Sequence, residues 1–138
     1  MDKKFEILDH TADTGIIAYG DDLKEAFENA ALGMFSLITD LPSIENDQTR
    51  KIDINSTDRD GLLVSWLNEL IYLFDVENII FSKFDIIHLD ENALSAIVYG
   101  EKVDLSRHEI RTGIKAATYH MLKIDKNSLF RVQVIFDI

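Results

Sequence analysis

Leu62-Leu63-Val64-Ser65-Trp66-Leu67-Asn68-Glu69-Leu70-Ile71-Tyr72-Leu73-Phe74, followed from residue 79 by Ile79-Ile80-Phe81-Ser82-Lys83-Phe84-Asp85-Ile86, marks where the chain changes its period. In the first run Leu62, Leu63, Trp66, Leu67, Leu70, Ile71 and Phe74 recur at i, i+3 and i+4, which lines one face of a helix. Thr57-Asp58 supplies its start, and the stripe reads as core rather than as a binding groove. Asn68 and Glu69 fall off the centre of the stripe, at its margin or in solvent. From Ile79 the period becomes two. Ile79–Leu89 and Ala93–Val103 read as strands, joined at Asp90-Glu91-Asn92 in a hairpin.

Upstream, Phe5–Leu8 and Ile16–Tyr19 are short strand runs on either side of the polar crossing His10-Thr11-Ala12-Asp13-Thr14-Gly15. Asp22 with Glu25 three residues on resembles a capping box. Leu23, Ala26, Phe27, Ala30, Met34 and Ile38 then continue at helical spacing to about Thr39-Asp40, before Pro42. Residues 42–49 read as a polar loop, and Arg50–Asn55 as a strand with Ile52 and Ile54 inward. Downstream, a charged loop holds His108, Glu109 and Arg111. Thr112–Ile124 is ambiguous between helix and strand, and its alternation leans to strand. With the turn Asp125-Lys126-Asn127-Ser128 and the run Leu129–Ile138 it predicts a closing β-hairpin. The order β-β-α-β-α followed by four strands is not the strict alternation of a doubly wound fold. It predicts an α+β domain spanning 1–138, with two helices packed on one face of a mostly antiparallel sheet.

At 138 residues, with 46% hydrophobic and 28% charged residues, the chain suits one domain with a core of its own. It has no cysteine, which removes disulfides, thiolate zinc sites and cysteine nucleophiles from consideration. No signal-peptide core follows Met1 and no apolar run reaches a membrane span, so a cytoplasmic protein is expected. Asp and Glu outnumber Lys and Arg by 25 to 14, a formal charge of −11. That field repels nucleic acid. It suits a basic protein surface or a divalent cation, or simply keeps the protein soluble.

Chemistry concentrates at the two ends. By period two, Phe130, Val132, Val134, Phe136 and Ile138 share one face of the last strand, and Arg131, Gln133, Ile135 and Asp137 the other. Asp137 thus stands beside the α-carboxylate of Ile138. If Asp13 approached them, the three would form a hard oxygen set suited to calcium, magnesium or manganese rather than zinc. Spacing alone does not bring them together. His88 reads as a surface or core histidine in an alternating strand, whereas His10 and His120 are better placed for chemistry. Lys115, in the small and apolar run Gly113-Ile114-Lys115-Ala116-Ala117, could reach an anion; a solvated edge lysine is an equal reading. No glycine-rich phosphate loop, G-x-S-x-G or H-E-x-x-H occurs.

These residues carry a resemblance. Asp9-His10-Thr11-Ala12-Asp13 with Gly15, Trp66-Leu67-Asn68-Glu69-Leu70-Ile71-Tyr72, Gly100-Glu101 with Asp104 and His108, Ile114–His120, and Val134–Ile138 together resemble the archease family, in the family's order. The resemblance implies a non-enzymatic helper of an RtcB-type RNA ligase, which joins tRNA halves after activation with GTP and manganese. The helper promotes guanylylation of the ligase and its multiple turnover. It further implies Asp13, Asp137 and the terminal carboxylate of Ile138 as ligands of a divalent cation, most often Ca2+, with Mg2+ or Mn2+ as alternatives. Lys115 is implied in ligase activation, while His10 and His120 match the motifs without an assigned role. Gly113 departs from the acidic residue many members carry there. A stand-alone metal-dependent hydrolase using Asp13, His10, His120 and Asp137 is the alternative, and a metal-free interaction module a third.

Overall fold

The computed structural model of the chain describes residues 3–9 and 14–138. Its strands are β1 (Phe5–Asp9), β2 (Thr14–Gly20), β3 (Gln48–Asn55), β4 (Ile79–Leu89), β5 (Ala93–Lys102), β6 (Ala116–Ala117), β7 (Lys123–Lys126) and β8 (Phe130–Asp137). Two helices, α1 (Leu23–Ile38) and α2 (Arg59–Glu77), follow β2 and β3, and a short 3-10 turn spans Leu41–Ser43. The α+β architecture is as expected, but the strands divide between two antiparallel sheets rather than forming one. A five-stranded sheet runs β1-β2-β8-β6 with β7 also on β8, and a three-stranded sheet runs β3-β5-β4.

Local chemistry explains where each helix begins and stops. Asp22 accepts the Glu25 N–H at 2.8 Å while the Glu25 carboxylate accepts the Asp21 N–H at 2.7 Å, so donors left over at the start of α1 are met. Asp58 does the same for Gly61 N–H at 2.8 Å at the start of α2. α2 ends on Asn78, whose φ of 57° is the left-handed cap that asparagine tolerates.

The helices hold the two sheets together. α1 packs on β1, β2 and β8 of one sheet and on β4 of the other, and α2 contacts β3, β4, β5, β6 and α1. Trp66, fully buried, donates its indole N–H to Phe27 O at 3.0 Å, which fixes α2 against α1. Phe35 stands at the centre of an aromatic cluster, edge-on to Phe74 and Phe81 and stacked on Phe84. Burying each such side chain contributes about 1.5–3 kcal/mol. The β4–β5 pair is close enough that a Cβ on Gly100 would lie 1.9 Å from Ile80 O, so only glycine fits there.

The closing hairpin exists, but its first arm is broken. β6 pairs with β8 through Ala116↔Asp137 and Ala117↔Phe136, and β7 pairs with the same edge from Lys123↔Gln133 to Lys126↔Phe130. Between them the five residues 118–122 stand opposite only Val134 and Ile135. The excess is looped out through Met121, which takes a φ of 54°. The expected polar face of β8 is covered in its middle: Gln133 and Ile135 are buried, and the Gln133 amide donates to Met121 O at 2.8 Å. Asp137 alone on that face is well exposed.

Candidate functional site

The site lies at the sheet end where β2 begins and β8 stops. The register sets Thr14 against Phe136 on one edge of β8 and Ala116 against Asp137 on the other. One residue before β6, the Lys115 N–H donates to Asp137 O at 2.8 Å. Two further bonds hold the segment on its other side: Thr118 N–H donates to Ile135 O at 3.0 Å and its hydroxyl to the same oxygen at 2.8 Å. Three stretches distant in sequence therefore meet here, and the side chains of Lys115, Asp137 and Ile138 are all exposed. Lys115 and Asp137 thus lie at one sheet end, beside Ile114, Ala117 and Phe136, which are buried.

The other expected residues fall into two groups. His120 stands exposed on the excursion between β6 and β7, with its backbone N–H donating to Thr118 Oγ1 at 3.2 Å. Asp13 and His10 lie outside the described residues. Among the described residues, no group of three or more His, Asp or Glu side chains could hold a metal ion. Asp137 and Ile138 are the two described members of the expected oxygen set.

Two features of the site escaped sequence reasoning. The first is Asn68, placed only at the margin of the α2 stripe. Its side-chain oxygen accepts the Ala117 N–H at 2.7 Å, and its amide nitrogen donates to Ala117 O at 3.4 Å. The second is the charged loop, in which His108 turns out to be buried at 3% exposure, against Glu101 at 5%. The His108 Nδ1 accepts the Asp104 N–H at 2.8 Å, and its Nε2 lies 3.4 Å from Glu101 Oε2 and 3.2 Å from Arg107 Nη2. Glu101 also takes the Glu45 N–H at 2.7 Å and pairs with Arg107. Burial pushes the Glu101 carboxyl up, but the Glu45 amide, His108 and Arg107 outweigh it and hold the group below the usual carboxylate range.

This cluster explains how residues 103–115, a long irregular connection, stay in place. The connection is tied at its start by His108 to Glu101. In its middle, Arg111 N–H donates to Ile38 O at 2.7 Å and the Thr39 hydroxyl to Glu109 O at 2.7 Å. At its end Lys115 meets Asp137. The only sequence signal was the spacing of Glu101, Asp104 and His108, which marks a motif without stating that it is buried. A groove of about 690 Å³ lined by Phe5, Ile7, Leu32, Leu41, Ile44 and Arg111 involves none of the expected site residues.

Comparison with known proteins matches residues 5–138 to the Archease protein family. Among its relatives, the archease of Methanosarcina acetivorans is 42% identical over 141 residues, covering 99% of this chain and 97% of that protein. The solution structure of a Methanobacterium thermoautotrophicum protein superposes with a TM-score of 0.80 at 41% identity, covering 98% of this chain and 99% of that one. A crystal structure of an archease, possible chaperone, from Thermotoga maritima shares the fold at a TM-score of 0.63 and 20% identity, covering 100% and 98%.

Proposed function

Because the chain belongs to the archease family, we propose that it is a non-enzymatic accessory protein that promotes guanylylation and multiple turnover of an RtcB-type RNA ligase in tRNA splicing. The observation that supports this most is the convergence at the sheet end. The Lys115–Asp137 backbone bond and the β6–β8 register bring Lys115, Asp137 and Ile138, all exposed, to one sheet end. An exposed polar sheet end suits contact with another protein's cleft better than enclosing a substrate of its own.

In this proposal Asp13, Asp137 and the carboxylate of Ile138 hold one divalent cation, calcium first, with magnesium or manganese as substitutes. The cation supplies positive charge for phosphate or carboxylate oxygens. Lys115 contacts nucleotide phosphate or a ligase carboxylate, and this sheet end favours the ligase conformation competent for guanylylation. His10 and His120 shape the loops around it. The charge of −11 favours a basic cleft as the docking surface and disfavours direct nucleic-acid binding. No helix among the described residues is long and apolar enough to cross a membrane, and a cytoplasmic setting suits the proposed ligase.

The test uses the ligase of the same organism in a multiple-turnover sealing assay, together with calorimetric titration of Ca2+ and Mn2+. Asp13→Ala and Asp137→Ala should each weaken cation binding at least tenfold and remove most of the stimulation. Full stimulation by both variants would sink the proposal, and metal-dependent turnover without any ligase would favour a hydrolase instead.

A further inference from the structure

The two-residue strand β6 is the thinnest element of the site. Toward β8 it is held through Lys115 and Thr118, whose N–H groups donate to Asp137 O and Ile135 O. The polar backbone of Ala117 instead meets α2, on the side where the sheet has no further strand among the described residues. Ala117 is only 5% exposed, so water is a poor substitute for a partner there.

Asn68 supplies what a neighbouring strand would. Its carboxamide offers an acceptor and a donor in one plane, as a peptide group does, and engages the Ala117 N–H at 2.7 Å and the Ala117 C=O at 3.4 Å. Asp could keep only the first of these bonds, Leu neither, and Gln would have to retract a longer side chain. The helix bearing Asn68 is itself rigidly placed: Leu67 and Leu70 beside it are fully buried, and Trp66 is bonded to Phe27 O.

We infer that Asn68 is the positioning residue of the site: by pairing with Ala117 it fixes the 115–118 segment on β8 and so sets Lys115 beside Asp137. The inference rests on the reading above, in which Lys115 and Asp137 are the working groups. Asn68 touches no substrate and acts through the backbone of its neighbour. Without it, β6 keeps its bonds to β8 on one side only, and Lys115 swings with the 111–115 connection.

The experiment is amide hydrogen exchange on the whole chain, wild type against Asn68→Leu and Asn68→Asp, run beside the guanylylation assay. Asn68→Leu should speed exchange at Ala117 and Lys115 at least tenfold, with Ile16 and Val134 in the β2–β8 core unchanged. Its stimulation of the ligase should fall at least fivefold. Asn68→Asp, which keeps the acceptor for the Ala117 N–H, should protect Ala117 better than Asn68→Leu does, and it serves as the test if the leucine variant fails to fold. Unchanged exchange at Ala117 and Lys115 would overturn the inference, as would faster exchange with full stimulation. If the wild type stimulates no ligase, the functional reading falls, while the exchange pattern still decides whether Asn68 holds the segment.

Discussion

Lys115 separates its two roles cleanly. Its backbone N–H is bonded to Asp137 O, whereas its side chain is exposed. Replacing it with alanine keeps the backbone bond, so Lys115→Ala should remove ligase stimulation while shifting unfolding free energy by about 0.5 kcal/mol or less. Trp66 is the opposite case. Fully buried and bonded to Phe27 O, it should cost about 3–5 kcal/mol when replaced by alanine, as read by urea unfolding. Trp66 was legible in the sequence because its place in a helical stripe is a local property. Lys115 was legible only as an oddity among small residues. Asn68 and His108 were not legible as anchors, since their partners, Ala117 for one and Glu101 for the other, follow from tertiary packing that no local pattern reports.

Among the elements, both helices began where their capping residues said they would. Asp58 accepts Gly61 N–H at 2.8 Å, and Asp58→Ala should destabilise the protein by about 1 kcal/mol in denaturant unfolding without altering ligase stimulation at saturating concentration. The long hairpin of β4 and β5 was equally readable from its alternation. What period two could not show was the division into two sheets, because alternation fixes faces and not neighbours. Nor could it show the break between β6 and β7. Residues 112–124 alternate well enough to lean to one strand, yet the 118–122 excursion turns on Met121 in a left-handed conformation that its residue type does not announce. The excursion has a structural consequence: its Met121 O takes the side-chain amide of buried Gln133, while Asp137 is the exposed residue of that face.

At the scale of the whole molecule, an acidic chain holds, among the described residues, one buried carboxylate, Glu101, against Arg107 and His108. Glu101 titrates below its unfolded value, so the stability it contributes is present above the ordinary glutamate range and is lost as pH falls through its depressed pKa. Glu101→Gln should therefore lower the urea midpoint at pH 7 and narrow the gap between pH 7 and acid conditions. An unchanged gap would mean that other groups set the acid limb. The same network fixes the start of the connection that ends at Lys115. The residue order along the chain revealed which groups matter, whereas the antiparallel registers around β8 revealed that Lys115 and Asp137 share one end. That end is the central claim, and single-turnover guanylylation of the RtcB-type ligase of the same organism tests it most directly. With wild-type chain the rate should rise at least tenfold, and with Asp137→Ala or Lys115→Ala it should stay near the rate of the ligase alone. Equal stimulation by all three proteins would contradict the account.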